Sequence, residues 1–357
     1  MTNRLVVLDA VGDAFVDGLR RAWDGGDAVL PLDPRLPAPA RAAVLAAARV
    51  DEPTEPGDAL VVATSGTTGE PKAAVLTHEA VMASALATSH RLGVDPDTDR
   101  WLACLPLSHV GGLSVVTRAL LTGTPLTVHE RFDAAATTQA AADGCTLTSL
   151  VPTALTRIDP GLFRAILLGG QAPPADRPGH VIATYGMTET GSGIVYDGLP
   201  LDGVELRIEP DGEIHVRAPM LLRTYRDGTD PKLADGWFPT GDIGSLDDGE
   251  LRVHGRRGDL IITGGENVWP TAVERVLAAH PQVAEVSVVG RPDPDWGHRV
   301  VAVVVPVDVS QPPTLDDLRD WAKQQLPAFA APRQLEVVTE LPRTAIGKVR
   351  RRDLTPG

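Results

Sequence analysis

Cysteine and lysine are scarce in this chain: Cys104 and Cys145 are its only cysteines, and lysine stands only at positions 72, 232, 323 and 348. Two isolated cysteines exclude a disulfide framework and a zinc site, and make a reducing cytoplasm the expected compartment. Long apolar runs are also missing. None approaches the roughly 18 residues of a membrane span, and Met1-Thr2-Asn3-Arg4 has no signal-peptide core behind it. Nor is there an excess of positive charge: 33 Lys and Arg against 47 Asp and Glu give a net charge of −14. That balance argues against a nucleic-acid or anionic-membrane surface, while leaving room for a local basic pocket that takes a nucleotide. Where arginine is generally preferred, a retained lysine points to a need for a compact, flexible ammonium. Lys72 and Lys348 both fall inside the motifs described below.

The chain has 357 residues, enough for two domains and a large core, with 43% hydrophobic and 22% charged residues, ordinary for a soluble globular protein. Its most distinctive stretch is Thr64-Ser65-Gly66-Thr67-Thr68-Gly69-Glu70-Pro71-Lys72, between the apolar run Ala59 to Ala63 and the strand-like Ala73 to Leu76. Glycines let successive N–H groups converge on an anion, hydroxyls add donors and Lys72 adds a point charge, so this is a loop suited to phosphate. A Walker A loop would need glycine where Pro71 stands and a hydroxyl where Ala73 stands.

Around this loop strands and helices alternate. Leu5–Leu8 reads as a strand, Phe15, Leu19 and Trp23 mark a helix ended by Gly25-Gly26, and residues 40–50 form a second helix. Thr77 is placed to cap a helix running to about Leu92, and the alternation continues through strands near 101–105, 125–128, 146–151, 164–168 and 180–184. The pattern predicts an α/β fold with a largely parallel, helix-covered sheet whose ligands sit at the carboxyl ends of the strands. After Pro200 the texture changes to short β segments separated by Asp-Gly turns, predicting a small antiparallel β subdomain. From about residue 259 a separate α+β plan begins: a helix near 271–280, a strand pair at 283–290 and 299–306, a helix at 315–326 and a strand at 334–338.

Five further segments follow the loop in order: Pro106-Leu107-Ser108-His109-Val110-Gly111-Gly112, Leu168-Gly169-Gly170-Gln171, Tyr185-Gly186-Met187-Thr188-Glu189-Thr190, Gly236 to Asp242 with Gly255-Arg256, and Pro342 to Lys348. With the phosphate loop, this series resembles the adenylate-forming superfamily, which holds acyl-CoA synthetases and peptide-synthetase adenylation domains. The likeness covers roughly residues 28–357. It implies an adenylation domain over 1–257, with its β-rich part at about 200–255, a hinge at Gly258 and a mobile C-terminal domain over 259–357. It further implies ATP, Mg²⁺ and coenzyme A as cofactors or co-substrates, a small carboxylic acid as substrate, and no nucleic-acid partner or membrane insertion. A homodimer would be unsurprising.

By the same resemblance, the 64–72 loop binds phosphates through Thr64, Ser65, Gly66, Thr67, Thr68, Gly69 and Lys72. Gly169, Gly170 and Gln171 face adenine, and Tyr185, Gly186 and Met187 belong to the adenine-stacking turn. Thr188 bonds a phosphate oxygen, Glu189 holds the metal, Asp242 accepts from the ribose hydroxyls and Arg256 completes those contacts. Lys348 bridges the attacking carboxylate and the α-phosphate. Gly264-Gly265, in Gly264-Gly265-Glu266-Asn267-Val268-Trp269-Pro270, is similar to the acyl- and aryl-CoA ligase form and implies that the small domain presents these glycines for the CoA step, with Trp296 stacked on the CoA adenine or else packed in a core or interface. His109 either gates the acyl path or is a buried histidine. For an acid with a second carboxylate, the donor is open among His109, the hydroxyls near 190 to 192, beside Gly191 and including Ser192, and ordered water. Other readings of the chain are a CoA ligase for another aryl or short acyl acid, a freestanding adenylation enzyme that loads a carrier protein, and a non-catalytic nucleotide sensor.

Overall fold

The computed structural model describes residues 3–65, 71–171, 173–174, 176–343 and 349–354. The chain divides into two units: Met1–Arg207 with His215–Pro239 and Asp248–Leu251, and Ile208–Ile214 with Thr240–Asp247 and Arg252–Gly357.

In the first unit the expected parallel plan is split between two sheets. One has the order Leu5–Leu8, Ala28–Pro31, Asp58–Ser65, Pro71–Thr77, Thr224–Tyr225. Its first three strands are parallel and its last two pairings antiparallel. Asp58–Ser65 and Pro71–Thr77 lie too close in sequence for the dozen or so residues of a parallel crossover, so they return as a hairpin with Thr64 opposite Lys72. Helix Gly12–Asp24 buries Phe15 and Leu19. Its Trp23 indole N–H donates to the Ala59 carbonyl at 3.0 Å. Helix Ala38–Ala48 covers the same sheet through Ala48, Val44 and Leu45.

The second sheet runs Leu199–Pro200, Gly193–Tyr196, Val181–Gly186, Ala165–Leu168, Leu147–Leu150, Trp101–Ala103, Leu126–Val128. From Val181–Gly186 to Leu126–Val128 the pairings are parallel. The loops carrying Pro106–Gly112, Gly169–Gln171 and Met187–Gly191 therefore all leave carboxyl ends of parallel strands. Helix His78–Leu92 starts where Thr77 Oγ1 accepts from the Ala80 N–H at 3.1 Å. Asp99, in the turn before Trp101, is buried and takes three side-chain hydrogen bonds: Arg164 Nε at 2.9 Å, Arg164 Nη2 at 2.6 Å and Thr146 Oγ1 at 2.7 Å. The cores hold fully buried Trp101, Leu102, Leu113 and Leu147, each contributing about 1.5–3 kcal/mol or more.

A four-stranded sheet, Glu205–Ile208, Glu213–Arg217, Phe238–Asp247, Glu250–Arg256 in that order, accounts for the β-rich texture after Pro200. In the second unit, strands Val283–Asp293 and Gly297–Pro306 form a long antiparallel pair with Val288 opposite Ala302. Ile261–Thr263 and Gln334–Val337 both pair with Gly297–Pro306 on its edge away from Val283–Asp293, and Glu266–Val268 pairs in turn with Ile261–Thr263. Helices Pro270–Ala278 and Leu315–Lys323 supply Val273, Leu277, Leu318 and Ala322 to its core. The helix predicted to reach 326 is regular only to Lys323, although the Leu326 N–H still donates to the Ala322 carbonyl at 2.9 Å in a last loose turn before Pro327. Thr314 and Asp317 form a reciprocal capping box at its start. No helix among the described residues is long and apolar enough to cross a membrane.

Candidate functional site

In the first unit the phosphate-loop residues Gly66, Thr67, Thr68 and Gly69 lie outside the described residues, as does the side chain of Ser65. The strands on either side are described, and Lys72 is the informative residue. Its Nζ lies 4.7 Å from the ring centroid of Tyr225. The Tyr225 hydroxyl donates to Glu189 Oε1 at 2.9 Å. The Leu222 N–H donates to the Glu189 carbonyl at 2.7 Å, so one short segment holds both ends of this glutamate. Lysine and glutamate, separated by more than a hundred residues, meet through a tyrosine that the sequence reading did not single out.

The turn bearing Glu189 is built tightly. Met187 N–H donates to Thr190 Oγ1 at 2.9 Å, and Thr190 Oγ1 donates to the Ser192 carbonyl at 2.7 Å. Gly186 is required there: a Cβ would stand 2.2 Å from the Ser192 carbonyl oxygen. Tyr185 is half-buried on strand Val181–Gly186, and Thr188 starts the single 3₁₀ turn Thr188–Thr190. Beside it, Gly169 N–H donates to the Leu150 carbonyl at 3.1 Å and Thr184 Oγ1 to the Leu168 carbonyl at 3.2 Å. These contacts set Gly169 next to the Tyr185 strand, while Gly170 and Gln171 are exposed.

Glu189 suits Mg²⁺ rather than a metal held wholly by protein. Among the described residues no cluster of three or more His, Cys, Asp or Glu side chains could hold a metal ion. A single hard carboxylate completed by phosphate oxygens and water is the usual Mg²⁺ arrangement. One oxygen of that carboxylate is engaged by Tyr225.

His109 is the residue before helix Val110–Thr122 and is half-buried. It adds to the charges that hold the Asp33 carboxyl below its usual range, the largest cause being the Arg35 guanidinium. Asp33, Arg35 and Ser108 border a cavity of about 360 Å³ walled by Val11, Phe15 and Leu32.

About two and a half turns farther along this helix lies a residue missed at the sequence level. Arg118 is only 2% exposed, its guanidinium sits 4.8 Å from the Trp101 ring centroid, and among the described residues its Nε and Nη1 have no hydrogen-bond partner. Burial pushes this guanidinium below its ordinary range. Arg118 borders a small cavity together with Ser84, Ser114, Thr117 and Gly191. The Ser84 and Ser192 hydroxyls are 3.0 Å apart. A lone charge inside the apolar run Leu113 to Leu121 was the available signal.

In the second unit, Arg256 Nε lies 2.9 Å from Asp242 Oδ1. Asp242 is buried on strand Phe238–Asp247, where its N–H donates to Thr240 Oγ1 at 3.1 Å. Arg257 pairs with Asp211 at 2.8 Å and Glu213 at 2.9 Å. Around Gly258 a Cβ would meet open space, so packing does not demand glycine there. Gly264 and Gly265, at φ +60° and +82°, form the turn between Ile261–Thr263 and Glu266–Val268. Gly264 N–H donates to the Trp296 carbonyl at 2.8 Å, and a Cβ on Gly264 would stand 2.7 Å from the Trp296 ring. Arg333 stacks 3.8 Å from the ring centroid of this 41% exposed tryptophan. Lys348 lies outside the described residues. On either side of its segment, Arg343 pairs with Glu285 at 2.6 Å, and Arg351 with Glu274 at 2.6 Å and Asp259 at 2.7 Å.

Comparison with known proteins bears on all of this. The sequence profile of AMP-binding enzymes matches residues 26–226, and that of the AMP-binding enzyme C-terminal domain matches residues 272–348. The chain is 40% identical to a probable 2-succinylbenzoate–CoA ligase of Mycobacterium tuberculosis, covering 94% of this chain and 93% of that protein. It is 38% identical to the 2-succinylbenzoate–CoA ligase of Listeria monocytogenes, over 83% of this chain and 69% of that one. Among solved structures it resembles o-succinylbenzoate CoA synthetase (MenE) of Bacillus subtilis in complex with the acyl-adenylate intermediate OSB-AMP. The TM-score is 0.87 at 30% identity, covering 99% of this chain and 87% of that one. The same enzyme with ATP and magnesium ion gives 0.86 at 29% identity, covering 99% and 89%.

Proposed function

The chain belongs to the family of AMP-binding enzymes, and from that premise we propose that it is an ATP-dependent o-succinylbenzoate:CoA ligase, the activating step of menaquinone synthesis. In the first half-reaction the acid's carboxylate attacks the α-phosphate of ATP, giving acyl-adenylate and pyrophosphate. In the second the CoA thiol attacks the acyl carbon and AMP leaves.

The observation that carries the choice of acid is Arg118. O-succinylbenzoate has two carboxylates, and the one that is not activated needs a cation. A buried guanidinium with two nitrogens lacking partners among the described residues, next to Ser84, Thr117 and Gly191, is the chemistry that receives it.

The remaining roles follow from charge and position. Lys72 and the loop before it bind the phosphates, and Thr188 donates to a phosphate oxygen. Tyr185 with Gly169, Gly170 and Gln171 takes adenine, and Asp242 with Arg256 takes the ribose. Glu189 would hold Mg²⁺, which when bound screens the phosphate charge. Lys348 stabilises the charge that grows on the oxygens of the in-line transition state. The C-terminal domain, over 259–357, then turns about Gly258 to bring Gly264-Gly265 to the acyl-adenylate. Two buried, unpaired thiols, Cys104 and Cys145, favour a cytoplasmic enzyme.

The test is pyrophosphate release with ATP, Mg²⁺ and o-succinylbenzoate against benzoate, a fatty acid and amino acids, in wild type, Arg118→Met and Lys348→Ala, followed by addition of CoA. Release with o-succinylbenzoate, a CoA thioester on addition of CoA, loss of release in Lys348→Ala and a KM for the acid raised about a hundredfold in Arg118→Met are expected. Turnover with a different acid, or an unchanged KM in Arg118→Met, overturns the substrate assignment.

A further inference from the structure

We propose that Tyr225 is a positioning residue for adenylation, setting the carboxylate of Glu189 for its cation and coupling it to the phosphate-binding Lys72. The inference rests on the reading of Glu189 as the Mg²⁺ carboxylate and adds a residue that no motif marks.

Strand register brings Lys72 and Tyr225 together. Thr224–Tyr225 is a two-residue strand closing the first sheet, with Tyr225 opposite Ala74 on Pro71–Thr77. Lys72 is two residues before Ala74, hence on the same face and diagonal to Tyr225, the relation in which a long side chain reaches an aromatic ring. The ammonium accordingly lies over the ring at 4.7 Å. Tyr225 is 9% exposed while Lys72 is exposed, so this cation–π contact is shielded from water on the tyrosine's side. Lys72 also adds to the causes, led by the Thr229 N–H, that hold the Asp227 carboxyl below its usual range.

The phenol hydroxyl then donates to Glu189 Oε1 at 2.9 Å. A cation over the ring face withdraws electron density and makes the hydroxyl a stronger donor. With Oε1 held and the Glu189 carbonyl tied to Leu222 N–H, the carboxylate is fixed in one orientation before nucleotide arrives. A glutamate left to rotate would lose that freedom on metal binding at a cost in affinity. Tyr225 therefore contributes chiefly to the step that needs the metal.

The test is equilibrium binding to the full-length protein by titration calorimetry, using Mg²⁺ with the non-hydrolysable α,β-methylene analogue of ATP, and AMP in EDTA as the metal-free reference. Tyr225→Phe keeps the ring for Lys72 and removes only the hydroxyl. The expected result is a Kd for the Mg²⁺ complex weakened by about three- to tenfold, with AMP binding in EDTA within about twofold of wild type. In a Glu189→Gln background, Tyr225→Phe should add nothing. An unchanged Mg²⁺-complex Kd in Tyr225→Phe, an equal loss of AMP binding, or additive losses in the double variant would each overturn the inference. Should Glu189→Gln itself leave the Mg²⁺ complex unaffected, the reading of Glu189 fails. If Glu189→Gln weakens it and Tyr225→Phe does not, Tyr225 alone is wrong.

Discussion

The guanidinium of Arg256 meets the carboxylate of Asp242, its Nε lying 2.9 Å from Oδ1. A carboxylate accepts from two hydroxyls better than any neutral group. Asp242→Ala is therefore expected to raise the KM for ATP by about ten- to a hundredfold, the worth of hydrogen bonds to a charged acceptor. The Kd for AMP should rise in parallel. Steady-state kinetics with titration of AMP checks this, and an unchanged AMP affinity would remove Asp242 from the ribose site.

Gly264→Ala should separate the two half-reactions. The substitution puts a side chain at φ +60° and a Cβ 2.7 Å from the Trp296 ring, so turn and indole must shift. We expect thioester formation to fall at least about tenfold while pyrophosphate release without CoA stays within about threefold. Rapid-quench measurement of each half-reaction decides it; equal losses in both would place the effect outside the CoA step.

Acid stability should depend on Asp99. Burial alone would raise its carboxyl, but the hydrogen bonds of Arg164 and Thr146 and the Asp95 N–H outweigh it and hold the group below its usual range. A carboxyl depressed in the folded state stabilises fully above its unfolded value of about 3.9. That contribution is lost as pH falls through the folded value. Asp99→Asn should thus lower the melting temperature at pH 7 and flatten its decline below about pH 4. Thermal melts from pH 7 to pH 3 test the slope; parallel curves would contradict it.

Neither cysteine should react in the folded enzyme. Burial pushes the Cys104 thiol up to about 11 and raises Cys145 as well, so little thiolate exists at neutral pH. Both side chains are almost fully covered. A chromogenic disulfide reagent should label no thiol in native protein and two after denaturation. Labelling of the native protein on the seconds timescale would show that the core around Cys104 opens.

Local chemistry was the legible part of this chain. Thr77 was readable as a cap because a hydroxyl before an apolar helix has one obvious use. The approach of Arg256 to Asp242 was readable because an Asp-Gly turn between two short strands folds them back. The split into two sheets was harder to see. Strand alternation carries no record of which neighbour each strand chooses, and the close spacing of Asp58–Ser65 and Pro71–Thr77 was the one clue to antiparallel return. Tyr225 had no local signal, since its significance arises from pairing with Ala74 some 150 positions earlier. Arg118 had one, a charge in a run of apolar residues, but only burial showed that water does not reach it.

Arg118 also bears on what the protein turns away. Enclosed against Trp101 and apolar helix walls, the guanidinium is poorly placed to exchange one hydration shell for another. A guest with a second carboxylate brings the counterion that this buried guanidinium lacks among the described residues, while a monoacid leaves it unmatched. Simple aromatic monoacids would then forgo that stabilisation. Selectivity on this view comes from a charge that the fold buries ahead of the guest, and needs no later correction of a wrongly activated acid.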